Sequence, residues 1–401
     1  MRKKSILIGS PIKQVPLILE LFLLSLKSLI RNDFSIAYFF IDDNDDELSS
    51  LLLERFRAES EDLVEILKEE PKNDFVRDDF THHWTDNLVW RVAAHKNRII
   101  EYLQANDFDY LFFVDSDLLL HPNTLVHLAS LEKAIVSEIF WTKWQPDMPE
   151  LPQVWGFDHY TLYDFVPGDK LSSDQVRSRQ RDWLEKLRKP GVYRVGGLGA
   201  CTLIDRAVLT KGVNFSPLYN ISFWGEDRHF CLRAVSNGFE LFVDTHYPAF
   251  HIYRISDLPK AKFFLTKNGM YREVDSNGLS IQLLNKATQA LICYGTTDFY
   301  KKDLKFGLEF FVPETRNAIE LERKTCINDI DQGLIITNTK VVNMVISNIM
   351  YDSAFVSAQI VNFGLYHNQS FNDKFEAKIH FRKYLCEWLV EAIDFYPKDH
   401  L

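Results

Sequence analysis

YLFFVDSDLLL, Tyr110–Leu120, sets the reading of the whole chain. Tyr110 to Val114 is a run of aromatic and branched aliphatic residues, which predicts a strand buried on both faces. The run stops at Asp115-Ser116-Asp117. Two carboxylates at the mouth of a buried strand are costly to place there without a counter-charge. If strand geometry persists, alternation points both to the same side. A divalent cation would supply the charge, and all-oxygen ligation suits Mg²⁺ or Mn²⁺. The plain alternative is an acidic turn closing the strand, with one Asp capping the next segment.

Upstream, the pattern repeats. Ser5–Gly9 reads as a strand, Val15–Ile30 as a helix and Ile36–Ile41 as a second buried strand, which ends in Asp42-Asp43-Asn44-Asp45-Asp46. Glu47–Arg57 is helical by the spacing of Leu48, Leu51, Leu52 and Phe56. Strands alternating with helices predict a helix-covered, parallel arrangement that binds ligands at the carboxyl ends of its strands. Both acidic clusters fall at such ends. The first is also what a solvated, helix-capping loop looks like. Val76–Trp90 is dense in rings (His82, His83, Trp84, Trp90), and Leu88–Gln104 reads as one helix with Lys96, Asn97 and Arg98 mid-way. A solvated basic face explains Arg98; Lys96 either shares that face or reaches a nucleotide.

Downstream, Ala134–Phe140 is apolar, and Trp141, Trp144 and Trp155 are either core or flat platforms for sugar rings. Asp158–Pro190 reads as an insertion, polar at first and helical over Val176–Leu187. VYRVGGLGACTLI, Val192–Ile204, reads as two strands around Gly196, Gly197 and Gly199; no helix opens there, so it is no dinucleotide fingerprint. The glycines admit close approach of a ligand or mark a bulge. In ISFWGEDRHF, Ile221–Phe230, Gly225-Glu226-Asp227 opens a helix that Gly238 ends. Acids in a first turn gain from the helix dipole, which suits either a general base or a simple cap. Glu240–Asp244 reads as a further strand, followed by His251.

The chain has 401 residues, enough for two domains, with a net charge of −10 that excludes a general nucleic-acid binder. Its five cysteines are scattered, without Cys-x-x-Cys spacing, which fits a reducing compartment and a cytoplasmic protein. MRKKSILIGSP is a poor signal peptide, and Glu20 and Lys27 argue against a membrane span over Val15–Ile30. From Ser280 the strand-then-acid pattern is lost. Ser280–Tyr294, Thr315–Cys326, Val341–Ile360 and Phe375–Phe395 read as helices, so the expected organisation is a catalytic α/β domain over 1–265 and a helical C-terminal domain over 277–401.

The order of these features resembles the GT-A nucleotide-sugar glycosyltransferases, family 2-like and inverting in type. The resemblance rests on DSD, GGLGA, WGED-RHFCLRA and a downstream His, in that order, over about residues 5–255. It implies a Rossmann-like mixed sheet with helices on both faces. It implies transfer of a hexosyl or N-acetylhexosaminyl group from a nucleotide sugar, UDP-linked by preference, to a glycan, lipid-linked or protein acceptor. Asp42 or Asp43 would hold the uracil or ribose, and Lys96 would line that pocket. Asp115 would face ribose and metal; Asp117 and His251 would ligate Mn²⁺ or Mg²⁺. Gly197 and Gly199 would back the donor sugar, with Trp224 beside it. Asp227 would be the base and Glu226 its neighbour. The Gln-x-x-Arg-Trp signature of processive members is absent, since Arg177–Trp183 reads RSRQRDW, which favours a single transfer. Phosphatases of the haloacid dehalogenase type also place Asp-x-Asp after an apolar strand, but early in the chain and with Thr or Val where this chain has Leu119. A non-catalytic sugar-nucleotide-binding protein on the same fold is the remaining alternative. The apolar Val341–Ile360 segment predicts a buried surface, either core or the contact of a homodimer.

Overall fold

In the computed structural model the described residues are 3–31, 34–70, 76–77, 82–145, 147–166, 168–222, 225–270, 276–297, 301, 303–331, 334–349, 353–367, 369–384 and 387–397. The chain divides into two compact units, Met1–Arg272 and Glu273–Leu401.

The first unit runs β1 (Lys4–Ile12), α1 (Pro16–Lys27), β2 (Phe34–Asp42), α2 (Glu47–Glu59), β3 (Leu63–Lys68), the short β4 (Val76–Arg77) and β5 (His82–His83), α3 (Asp86–Ala105), β6 (Tyr110–Phe113) and β7 (Leu118–Leu119). It continues through α4 (Thr124–Ser130), β8 (Ile135–Thr142), β9 (Leu151–Pro152), α5 (Ser173–Leu187), β10 (Val192–Val195), β11 (Thr202–Asp205), α6 (Arg206–Thr210), α7 (Glu226–Ser236), β12 (Leu241–His251) and α8 (Leu258–Lys267). The main sheet is ordered β10-β12-β8-β11-β6-β1-β2-β3. β6, β1, β2 and β3 are parallel, as are β8 and β12, while β11 runs antiparallel to both β6 and β8.

Period-two alternation along β2 sends its rings to opposite faces. Tyr38 meets Phe56 of α2 edge-on at 5.0 Å, and Phe39 stacks on Tyr102 of α3 at 4.2 Å. Helices therefore cover both faces of this mixed α/β sheet. α3 starts at Thr85, whose side chain accepts from Leu88 N–H, and buries Val89, Ala93, Ile100 and Leu103. Lys96 lies on that same buried stripe.

One expected strand needs correction. Glu240–Asp244 extends to His251, with an irregularity in its pairing to β8 between Asp244 and Ala249, so His251 ends the strand itself. The strands flanking the glycines do form, but β10 pairs with β12 and β11 with β6 and β8. The glycine stretch thus crosses between distant parts of the sheet.

The second unit is not mainly helical. Among its described residues two α-helices, α9 (Ser276–Gly295) and α10 (Pro313–Asp331), accompany four strands: β13 (Leu334–Ile349), β14 (Ser353–Tyr366), β15 (Gln369–Tyr384) and β16 (Glu387–Pro397). The strands form an antiparallel meander in sequence order. The expected helices Val341–Ile360 and Phe375–Phe395 are strands because their apolar residues alternate. Ala354, Val356, Ala358 and Ile360 are buried while Phe355, Ser357 and Gln359 face the other way, and Ala377, Ile379 and Phe381 repeat this on β15. Leu283, Ala287, Ala290 and Leu291 of α9 join these residues in one core. Among the described residues no helix is long and apolar enough to cross a membrane. Cys201, Cys231 and Cys293 are buried free thiols; Cys386 lies outside the described residues.

Candidate functional site

At the carboxyl end of the central strand β6, Val114 N–H donates to Gly9 C=O and Asp115, Ser116 and Asp117 follow. Leu118 and Leu119 then pair with His251 and Phe250 of β12, and Ile252 N–H donates to Asp117 C=O at 2.9 Å. This two-residue ladder sets His251 Nε2 3.4 Å from Asp117 Oδ2. The other ring nitrogen, Nδ1, is 2.8 Å from Thr142 Oγ1. With its proton on Nδ1, His251 offers Nε2 to a metal, oriented by the hydroxyl as ligating imidazoles commonly are. Thr142 had no signal in the sequence. Burial pushes the Asp115 carboxyl up to about 7, with Lys96 opposing the rise and Asp117 adding to it. Two carboxylates with one imidazole make a donor set that fits a divalent ion such as Mn²⁺.

The second acidic pair arrives on α7. Gly225 takes φ +89°, a conformation that favours glycine, and starts the helix without a side-chain cap. Glu226 and Asp227 follow in the first turn, where the helix dipole favours their charge. Lys96 Nζ reaches both, 2.7 Å from Glu226 Oε1 and 2.8 Å from Asp227 Oδ1. Burial alone would lower the Lys96 ammonium, but Asp227, Glu226 and Asp115 outweigh it and hold it well above its ordinary value. Burial pushes Asp227 up to about 6, with Lys96 pulling down and Glu226 pushing up. Arg228 locks the start of α7 to Asp158 C=O at 2.7 Å and to Ser222, while Asn97 clamps Phe215 and Ser216.

One cavity of about 470 Å³ joins these groups. It is lined by Asp43, Lys96, Asp115, Asp117, Gly199, Glu226, Asp227 and His251. Of the two candidates after β2, the cavity takes Asp43; Asp42 Oδ1 turns back to accept from Asn44 Nδ2 at 2.6 Å and caps its own loop. Asp43 Oδ2 is 3.1 Å from Arg91, whereas Oδ1 is buried with no protein partner. Both nitrogens of His95 and the Trp155 indole N–H are buried without a hydrogen-bond partner, His95 Nε2 standing 3.8 Å from Asp43 Oδ2, and both residues line the cavity. Buried polar atoms without partners are costly, so this wall is built to be met by a ligand. Sequence reading passed over Arg91 and His95, which share one face of α3 at i,i+4 spacing.

Gly199 lines the cavity, and a Cβ there would lie 3.1 Å from Asp227 Oδ2. Gly197 does not: a Cβ would lie 1.9 Å from Trp155 Cε2, so its missing side chain makes room for that indole. Trp144 and Trp155 are cavity walls, while Trp141 lies flat against the Arg188 guanidinium at 3.4 Å. Trp224 lies outside the described residues.

No protein-family model matches the chain, and no curated protein matches it. Solved structures similar to it include TarS of S. aureus, residues 1–349, 12% identical, covering 80% of this chain and 78% of that one at a TM-score of 0.38. The mannosyltransferase PcManGT from Pyrobaculum calidifontis, solved with GDP-Man and Mn2+, is 10% identical over 80% of each chain, also at 0.38. An IcmL-like type IV secretion system protein from Legionella pneumophila is 11% identical, covering 30% of this chain and 94% of that one at 0.26. Likeness at this level does not assign a function.

Proposed function

We propose that the chain is a metal-dependent glycosyltransferase that moves a sugar from a nucleoside-diphosphate sugar to an acceptor hydroxyl, in a single transfer with inversion. The observation that carries this reading is the single cavity holding Asp115, Asp117 and His251 together with the Lys96-paired Glu226 and Asp227. Asp115, Asp117 and His251 would hold Mn²⁺ or Mg²⁺. When bound, the ion neutralises the charge that builds on the departing diphosphate. Asp227 accepts the proton of the acceptor hydroxyl as that oxygen bonds to the sugar C1. The C1–O bond to the diphosphate breaks, and its electron pair leaves with the nucleoside diphosphate. Lys96 keeps Asp227 ionised near neutral pH by opposing the rise that burial causes. Glu226 shares the same ammonium and would contact donor or acceptor.

Asp43 supports uridine as the carrier. One of its oxygens is taken by Arg91, leaving one acceptor, which suits the single ring N–H of uracil better than the two adjacent donors of guanine. The transferred group would be a hexose or N-acetylhexosamine. The second unit, residues 277–401 in this assignment, would dock the acceptor or a second copy of the chain. Calorimetric titration with UDP and GDP, in Mn²⁺ and in chelator, tests the central claim. UDP binding that strengthens with Mn²⁺ is expected; affinity unchanged by the metal for every nucleotide that binds would overturn it.

A further inference from the structure

A second group of ligand-type side chains gathers between α4 and the middle of β12, and none of them lines the large cavity. Asp244 is fully buried on β12 and sits beside Glu138, its register partner on β8, which is also fully buried. His127 Nε2 of α4 is 3.1 Å from Asp244 Oδ1, and His246 Nδ1 is 2.6 Å from the same oxygen. The two imidazole rings are 4.8 Å apart between centroids. Asp244 Oδ2 accepts from the backbone N–H of His246 at 3.1 Å. The Glu138 Oε1 accepts from Tyr247 N–H at 3.2 Å, while Oε2 is buried with no hydrogen-bond partner.

Two carboxyl groups buried side by side are expensive unless something positive stands between or beside them. Beside the pair stand the two imidazoles and the backbone N–H groups of His246 and Tyr247. The three donor atoms lie within 4.8 Å of one another. A tetrahedral shell with bonds of about 2.0–2.2 Å sets its donors roughly 3.3–3.6 Å apart, so small side-chain adjustments would admit an ion. Two imidazoles and a carboxylate select a borderline cation over Mg²⁺ or Ca²⁺, which prefer all-oxygen sites. His127 and His246 are 24% and 36% exposed in their side chains, which leaves an entry path to the buried carboxylate.

We propose that His127 Nε2, His246 Nδ1 and Asp244 bind a divalent cation of the zinc class, with Glu138 supporting Asp244 from behind. The ion ties α4 to β12 at the point where β12 loses its regular pairing with β8, five residues before His251. Its role is structural and separate from donor binding.

The test uses the full chain, stripped with chelator and dialysed, titrated with Zn²⁺ by calorimetry and with Co²⁺ by visible absorption. Expected are a Zn²⁺ equivalent that raises the melting temperature and a tetrahedral Co²⁺ band, both retained in Asp117→Asn. His246→Gln, a change at a partly exposed position, should weaken this binding by about tenfold or more with the circular dichroism unchanged. Wild-type protein without the Co²⁺ band needs no variant to overturn the proposal. Zinc binding abolished by Asp117→Asn, or unchanged in both His246→Gln and His127→Gln, would overturn it as well.

Discussion

Lys96→Met removes the ammonium that Glu226 and Asp227 share while keeping most of the side-chain volume. The pair distances are 2.7 and 2.8 Å, and the lysine side chain is 4% exposed. Breaking a buried ion pair from one side costs about 3–5 kcal/mol, because the remaining charge is stranded. Asp227 is 30% exposed towards the cavity, so water recovers part of this, and the lower end, about 3 kcal/mol, is the better figure. For a domain of this size that is a fall in melting temperature of about 6–12 °C. The deficit should also depend on pH. Asp227 stands at about 6 in the native chain against an ordinary 3.8, so its contribution to stability is greatest in acid and is lost as pH rises through about 6. Without Lys96 its value rises further, and the losing window extends upward. Differential scanning calorimetry at pH 5 and pH 8 should show a deficit that is larger at pH 8. In turnover assays the acid limb governed by Asp227 should move to higher pH in the variant. An unchanged melting temperature at pH 8, or a deficit constant across this range, would refute the stranded-charge account.

Asp227→Asn should lower acceptor-dependent turnover by about 10²–10⁴ while leaving UDP affinity nearly unchanged, read from product release and calorimetry. If Glu226→Gln alone gives that loss, the base is Glu226. Asp43→Ala should weaken UDP by about tenfold in calorimetry, roughly the 1.4 kcal/mol of one hydrogen bond to a charged acceptor, with little effect on the Mn²⁺ requirement. A chain ending at Arg272 should still bind UDP with Mn²⁺, since every cavity-lining side chain precedes that residue; a folded fragment blind to all nucleotides would count against the assignment.

The first half of the fold was legible because its strands are uniform. Ile6–Ile8, Phe39–Ile41 and Leu111–Val114 are buried on both sides, and each runs into a polar break that marks a strand end. Lys96 was legible only as one of a mid-helix Lys-Asn-Arg run, sharing a solvated face or reaching a nucleotide; its burial was not. Nor was what it pairs with, because nothing local links α3 to α7. The choice between Asp42 and Asp43 also needed coordinates, since it depends on Asn44 folding back onto one of them. The second unit misled because Val341–Ile360 is apolar enough to satisfy either period. Lys374–Arg382 alternates strictly, but its Glu, Ala and Lys residues are good helix formers, so local preference there opposes the strand period. His127, Asp244 and His246 went unnoticed because His127 and Asp244 are 117 positions apart.

The sharing of Lys96 has a consequence for the order in which the chain folds. Its counter-charges lie 130 and 131 positions later. A ribosome therefore delivers β1, β2, α3 and β6 well before anything can neutralise the ammonium that α3 must bury. Until α7 emerges, closing α3 onto the sheet either strands that charge or leaves the stripe ajar. The early strands are thus held back from independent stability, and the first unit should gain its cooperativity in one late step, with high contact order and correspondingly slow folding.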